Sequence, residues 1–167
     1  LNKVRTKGEL AKLISTTFTT DSSEAALYLN SNDSLAPFNI DTAQLFTLFI
    51  PNTYEFWWNT TAEELFERMY QESQKFWTEE RKGKAAALGL SQKEVSTLAS
   101  IVQAESQKSD ERPRIAGVYL NRLRTRMPLQ ADPTLVFAAG DFTIKRLTAK
   151  QMAIDSPYNT YKYAGLP

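Results

Sequence analysis

The stretch that decides the fold is SQKEVSTLASIVQAE, which occupies residues 91–105. Ser91 followed three positions later by Glu94 forms a capping-box pattern, and this pattern predicts that a helix begins here. The apolar residues that follow recur at helical spacing and are Val95, Leu98, Ile101 and Val102. We therefore expect an amphipathic helix that runs to about residue 105 and packs one face against a core.

Glu105 lies on the same side of this predicted helix as the apolar stripe. Because an α-helix turns by about 100° per residue, Glu105 is rotated about the helix axis by about 20° from Leu98, about 40° from Ile101 and about 60° from Val102. A carboxylate in the middle of an apolar face costs free energy unless it is paired, hydrogen-bonded or protonated. Partial burial would raise its pKa toward neutrality, as a general acid requires when no histidine is available. The alternative is that the stripe ends at Val102 and that Glu105 lies at an exposed helix end.

Further helix starts and two strand-like segments surround this element. Capping patterns occur at Thr6-x-x-Glu9, Asp21-x-x-Glu24 and Thr61-x-x-Glu64. Another helix is expected from about residue 111 to 126, because a proline at 113 is tolerated in a first turn. Residues 45–50 are ambiguous between strand and helix, and the aromatic residues 54–58 favour a strand. The expected fold class is therefore α+β and helix-rich, with a few short strands.

Composition limits the chemistry of this chain. It has 167 residues, 42% of them hydrophobic, and it contains no histidine and no cysteine. Histidine-dependent triads, thiolate nucleophiles and thiolate zinc sites are therefore excluded. Acid–base chemistry would have to use carboxylates, lysines or tyrosines. We expect no metal and no cofactor.

Charge is distributed unevenly along the chain although the net charge is only +1. Residues 21–80 carry eleven acidic and two basic side chains, whereas residues 81–167 carry fourteen basic and seven acidic ones. The near-neutral total argues against nucleic acid as a partner, and so do the inward or helix-start positions of two of the five arginines between 112 and 126.

A second group of candidate site residues follows the predicted helix at 111–126. Arg122 lies on its inward side, where it either extends past the edge of the core or holds a carboxylate or an anionic substrate group. Gln130 and Asp132 flank the turn that comes next. Asp132 precedes a proline, so it is either a turn residue or a second functional carboxylate.

The tail SPYNTYKYAGLP, residues 156–167, has no apolar periodicity. Its tyrosine, asparagine and threonine side chains suit hydrogen bonding and stacking against a sugar better than a core. The candidates are Tyr158, Asn159, Thr160 and Tyr161. A second aromatic group either stacks on sugars or packs in a core, and consists of Tyr54, Phe56, Trp57 and Trp58.

Several of these motifs, in this order, resemble the YceG-like family of endolytic murein transglycosylases, also called MltG-like. The matching segments are IPNTY at 50–54, LASIVQAE at 98–105, ERP at 111–113, NRL at 121–123, MPLQADPT at 127–134, YNTY at 158–161 and GLP at 165–167. Together they extend over about 120 residues. The family's catalytic glutamate falls on Glu105, whereas Gln103 stands where many members have a glutamate.

The resemblance implies an enzyme that cleaves peptidoglycan strands internally between N-acetylmuramic acid and N-acetylglucosamine and leaves 1,6-anhydromuramic ends. Glu105 would be its catalytic residue. The substrate-binding candidates are Arg122, Gln130, Asp132, Tyr158, Asn159, Thr160 and Tyr161. Two rival interpretations remain: a two-carboxylate hydrolase that uses Glu105 and Asp132, and a non-catalytic glycan-binding or scaffold module.

The resemblance also implies a domain organisation and a location. Residues 1–44 would be part of a small LysM-like α/β region, and residues 45–167 the mainly helical catalytic domain, which would continue beyond Pro167. A single-pass anchor preceding this chain would hold the protein in the bacterial cytoplasmic membrane with its catalytic domain on the outer side. The fragment itself would be soluble. Its partners would be glycan strands, with peptidoglycan synthases or elongation and division proteins as further candidates.

Overall fold

The computed structural model describes residues 4–167, with Ser22 described by its backbone alone. These residues form two compact units, one that extends to Lys84 and one that consists of Ala85–Pro167. The division falls inside a helix. The boundary implied by the family resemblance, between residues 44 and 45, concerns homologous regions rather than compactness and stays a prediction.

The first unit is built from helices around one core. Its helices are α1 (Lys7–Thr17), α2 (Ser22–Asn30), α3 (Asn32–Leu35), α4 (Ala62–Phe76) and the first part of α5 (Glu79–Ala87), with 3₁₀ turns at Ala36–Phe38 and Leu45–Leu48. Helices α1 and α4 begin at complete capping boxes, as the Thr6 and Thr61 patterns predict. Phe66 is fully buried and stacks on Tyr28 at 5.1 Å between ring centroids.

The short strands expected from the sequence are a wrong prediction for the part of the chain described. Residues 4–167 contain no β-strand. The segment 45–50 forms a 3₁₀ turn instead. Residues 54–57 have no regular structure, because no strand is present among residues 4–167 to pair with them. Phe56 meets Phe18 edge to face, whereas Trp57 is largely exposed. The assignment of residues 1–44 to a LysM-like region gains no support from the helices found there and stays a prediction.

The second unit packs helix α6 (Gln92–Glu105) against α7 (Arg112–Arg124) and α8 (Asp132–Ala139), and α9 (Ala149–Met152) follows. Helix α6 begins at the Ser91 capping box, as predicted. The buried core of the second unit consists of Leu98, Ile101, Val102, Tyr119, Leu129 and Ala131. This core fixes the end of α6, one side of α7 and the turn before α8 against one another.

Within residues 4–167, no helix combines the length and the apolar character that crossing a membrane requires.

Candidate functional site

Glu105 is the last residue of α6, and its side chain is exposed. The apolar stripe predicted for this helix is buried through Leu98, Ile101 and Val102. Ser106 then caps the helix in an extended conformation, and its N–H bonds the carbonyl of Val102 at 3.4 Å. Of the two alternatives left by the sequence, the exposed helix end is therefore the one that the structure shows.

The chain that follows Glu105 is braced by Ser106. The Ser106 hydroxyl donates to Glu111 Oε2 at 2.7 Å and accepts from the N–H of Lys108 at 3.1 Å. Lys108 Nζ lies 3.3 Å from Glu111 Oε1. These contacts brace the loop between α6 and α7. The backbone directly after Glu105 is therefore held in place.

Tyr119 on α7 lies near Glu105. The tyrosine is only 5% exposed. Burial raises the pKa of Tyr119 well above its ordinary value, and its interaction with the nearby Glu105 carboxylate adds to the shift. The phenol therefore stays protonated and can act as a hydrogen-bond donor toward the carboxylate.

Arg122 is half-buried on the same helix, three residues further along. Its guanidinium donates to the backbone carbonyl of Leu129, which is completely buried. None of the ion pairs formed by residues 4–167 includes Arg122. The arginine thus ties the turn before α8 to α7, and its positive charge still acts on both Tyr119 and Tyr161.

Gln130 in this turn has an unusual backbone. Its φ of 51° lies in the left-handed region, where a residue with a Cβ is strained by about 1 kcal/mol or more. Its N–H donates to the carbonyl of Thr160 at 2.9 Å, which holds the strained conformation against the tail. The side chain itself is exposed at the surface of the turn.

Three residues join the turn to the tail through a closed ring of hydrogen bonds. Ala131 N–H donates to the Thr160 hydroxyl at 3.0 Å, and the Thr134 hydroxyl donates to the Ala131 carbonyl at 2.7 Å. The two threonine oxygens are 2.8 Å apart. Because Thr134 uses its proton on Ala131, Thr160 must be the donor between them. The ring runs in one direction and is buried throughout.

Asp132 and Tyr161 form the exposed side of the same junction. The Tyr161 hydroxyl donates to Asp132 Oδ1 across 29 residues of sequence. This hydrogen bond, together with burial and the charges of Asp132 and Glu105, raises the pKa of Tyr161 to about 12. Tyr161 therefore keeps its proton at every physiological pH and stays a donor.

The other tail candidates have different environments. Asn159 is fully buried, and its amide donates to the carbonyls of Met152 at 3.1 Å and Ile154 at 2.7 Å. Its carbonyl oxygen accepts from the N–H groups of Tyr161 and Lys162. Asn159 and Thr160 thus shape the tail from inside, and direct sugar contact by them stays a prediction. Tyr158 is 39% exposed.

Glu105, Asp132 and Arg122 lie near one another. The charge of each affects the pKa of both Tyr119 and Tyr161. Asn159 and Thr160 are buried, and Tyr158 packs edge to face on Phe137, 4.8 Å between centroids. Residues 4–167 contain no group of three or more acidic, histidine or cysteine side chains arranged to hold a metal ion.

The whole sequence, residues 1–167, matches the model of the YceG-like family. The chain belongs to the YceG-like family. The resemblance inferred from the ordered motifs is therefore confirmed, and the fold agrees. A crystal structure of a YceG-like protein from Listeria monocytogenes superposes with a TM-score of 0.78 at 25% identity, covering 96% of this chain and 57% of that one.

Two curated relatives of this YceG-like chain are named endolytic murein transglycosylase. The Bacillus subtilis (strain 168) protein is 37% identical over 108 residues, which are 65% of this chain and 29% of the relative. The Streptococcus pneumoniae (strain R6) protein is 37% identical over 123 residues, 70% of this chain and 22% of the relative. The chain thus spans about a quarter of the length of these relatives.

Sequence reasoning missed two contributors to the site of this YceG-like chain. Tyr119 counted only as a member of an apolar stripe, although a phenol on such a stripe needs a polar partner when buried. Thr134 was passed over inside the DPT motif. Its signal was weak, since its partner Thr160 lies 26 positions away.

Proposed function

We propose that this chain is the core of a peptidoglycan lytic transglycosylase that cuts the β-1,4 bond between N-acetylmuramic acid and N-acetylglucosamine and forms 1,6-anhydromuramic ends. The observation that carries the proposal is the exposed Glu105 carboxylate at the end of α6, with the side chain of the buried residue Tyr119 near it. The names of the curated relatives support peptidoglycan as the substrate.

The reaction needs one carboxyl group that acts first as the general acid and then as the general base. Protonated Glu105 gives its proton to the glycosidic oxygen while the bond from that oxygen to the muramic C1 breaks. The C6 hydroxyl of the same muramic residue attacks C1, and its proton passes to the Glu105 carboxylate. Glu105 ends the cycle protonated, as it began. Because the nucleophile is part of the substrate, neither a water nor a second carboxylate is required.

The surrounding side chains serve this step in distinct ways. Tyr119 donates toward Glu105 and orients its carboxyl group. Gln130, Tyr158 and the Tyr161–Asp132 pair are our candidates for contacts with the sugar. Arg122 supports the turn that carries Gln130 and adds positive potential, which suits the lactyl or peptide carboxylates of murein.

Glu105→Gln in the full-length protein tests the catalytic assignment. The variant keeps the shape of the side chain but cannot donate the proton, so murein digestion should fall by about 10²–10⁴-fold. The matched control is Glu80→Gln on α5, which alters only a surface ion pair with Lys84. Digestion by Glu105→Gln at the wild-type rate would remove the catalytic assignment and leave a binding or scaffold module as the better interpretation.

A two-carboxylate hydrolase is the second candidate, because Glu105 and Asp132 act on the same two tyrosines. One oxygen of Asp132 already accepts from Tyr161, which makes it less available to activate water. Digestion in H₂¹⁸O separates the two reactions. Anhydromuramic ends without ¹⁸O support the transglycosylase, whereas reducing muramic ends that carry ¹⁸O show hydrolysis.

The same proposal includes the wider organisation of the protein. A LysM-like region over residues 1–44, a membrane anchor that precedes it and an extracytoplasmic catalytic domain follow from the family resemblance. Peptidoglycan synthases and division proteins are the candidate protein partners. Fractionation and cross-linking of the full-length protein in its own cell test these points.

A further inference from the structure

Two neighbouring tryptophans in the first unit lie in solvent. Trp57 is 81% exposed and Trp58 is 70% exposed, whereas Trp77 is 6% exposed. An exposed indole leaves a large apolar surface in water, so a pair of them at adjacent positions marks a binding surface more often than chance. Nothing in the proposed reaction at Glu105 uses this pair.

The backbone that carries the two indoles is held at both residues. The Trp58 carbonyl accepts from the N–H of Thr19 at 3.2 Å, and the Trp57 carbonyl accepts from the N–H of Thr60 at 3.1 Å. Thr60 is itself buried. The indoles are thus presented by a fixed loop, which reduces the entropy that a ligand must overcome on binding.

A surface cavity of ≈ 550 Å³ lies beside Trp58, within the range of about 300–1,000 Å³ typical of ligand sites. Its lining consists of Thr17, Phe18, Tyr54, Glu55, Phe56 and Trp58. The rings of Phe18 and Phe56 meet edge to face at 5.7 Å. The Tyr54 hydroxyl donates to the Ile50 carbonyl at 2.6 Å, so this ring is also held in place.

Glu55 is the charged member of the lining. Its side chain is exposed, and within residues 4–167 it takes part in none of the hydrogen bonds or ion pairs. The lining therefore offers flat aromatic faces together with a carboxylate that accepts hydrogen bonds, and none of its residues is basic. This combination suits a neutral ligand that has C–H faces to stack and O–H or N–H groups to donate.

Charge selects among the ligands of that kind. The first unit, residues 1–84, carries twelve acidic and nine basic side chains, a net charge of −3. This potential repels anionic lipid surfaces and phosphate polymers but has no effect on the approach of an uncharged sugar. An N-acetylated hexosamine supplies apolar C–H faces, hydroxyl donors and an amide N–H.

We propose that Trp57, Trp58 and the Glu55 cavity form a binding site for an uncharged N-acetylhexosamine chain, and none of these residues is among those assigned to the reaction at Glu105. The indoles stack on successive sugar rings, and Glu55 accepts from a hydroxyl or amide of the ring next to Trp58. The site holds a glycan and does not cleave it. Its ligand has the N-acetylhexosamine rings of the proposed substrate but none of the carboxylates.

The test uses chitotetraose, the β-1,4-linked tetramer of N-acetylglucosamine, and the 167-residue chain carrying Glu105→Gln. The chain has three tryptophans, so the indole N–H region of a ¹⁵N correlation spectrum has three signals. We expect the Trp57 and Trp58 signals to shift on titration and the buried Trp77 signal to stay in place. The combined variant Trp57→Ala, Trp58→Ala should weaken binding at least tenfold, and Glu55→Gln should weaken it less.

Leu27→Ala is the matched control, since this residue is 75% exposed in the same unit. It should bind chitotetraose as well as the parent chain does. The proposal is overturned if the indole signals do not move at millimolar tetramer, if the double alanine variant binds unchanged, or if only phosphatidylglycerol vesicles move them. Murein digestion is measured separately, so indole shifts without digestion would keep this site while the proposed function fails.

Discussion

Asn159→Ala removes four hydrogen bonds from a side chain that has no exposed surface. The amide donates to the carbonyls of Met152 and Ile154, and its oxygen accepts from the N–H groups of Tyr161 and Lys162. Each such bond contributes about 1 kcal/mol net, and each partner left unsatisfied in the interior adds to the loss. Met152 is partly exposed, so water can restore some of these bonds. We expect a loss of about 2–4 kcal/mol.

Thermal unfolding of the 167-residue chain, followed by circular dichroism, measures this loss. At about 2–4 °C per kcal/mol for a chain of this size, the midpoint should fall by roughly 10 °C. Asn159→Asp keeps both acceptor bonds but buries a charge and should also lose stability. Asn52→Ala is the matched control, because its oxygen only accepts from Thr53 at the surface, and it should stay within about 0.5 kcal/mol. A loss below about 1 kcal/mol for Asn159→Ala would refute the reasoning.

Three further perturbations give distinct outcomes. Phe66→Ala empties a fully buried position and should cost about 3–5 kcal/mol in chemical denaturation, so a cost below about 2 kcal/mol would contradict the core described for the first unit. Ser91→Ala removes the α6 cap and should cost about 1 kcal/mol. The hydrogen bonds from Ser91 lower the pKa of Glu94. Their contribution to the free energy of unfolding is therefore complete above the ordinary carboxyl pKa and is lost as the pH falls through the lowered pKa of Glu94. Glu94→Gln should flatten the acid limb of a curve of stability against pH. The pKa of Tyr161 is raised to about 12, so its contribution is complete below pH of about 10 and is lost as the pH rises through about 12. In an absorbance titration at alkaline pH, Tyr161→Phe should remove one late-ionising phenol and leave that of Tyr119, and Asp132→Ala should move one ionisation to lower pH, whereas an unchanged curve for both would contradict the contact.

Local chemistry made most of the helices predictable. The capping boxes at Thr6, Thr61 and Ser91 each form as the sequence indicates, since both partners lie within one turn of each other. The helix with Pro113 near its start also forms, because a proline in the first turn sacrifices no helical hydrogen bond. The buried stripe of α6 followed from its spacing alone.

The site depended on contacts that spacing does not reveal. Helix α6 ends at Glu105 as expected, but its buried stripe stops at Val102, and spacing alone does not say how far a neighbouring element covers a helix face. The bonds from Thr160 to Ala131 and from Tyr161 to Asp132 each span 29 residues. The strand predicted for the aromatic residues 54–58 is wrong. Strand propensity reflects how side chains pack in a sheet, and no sheet forms in residues 4–167.

The ring of hydrogen bonds through Ala131, Thr160 and Thr134 also affects the electric field around Asp132. Its three bonds follow one another head to tail and return to the residue where they started. Bond dipoles arranged in a circle largely cancel, so this polar group produces little net potential outside itself. The tail is therefore fastened to the turn without polarising the surface beside it, where the charges of Asp132, Glu105 and Arg122 act on Tyr161. A threonine-to-serine exchange would preserve this neutrality, whereas valine at either position would leave an unbalanced N–H or carbonyl dipole next to the carboxylates.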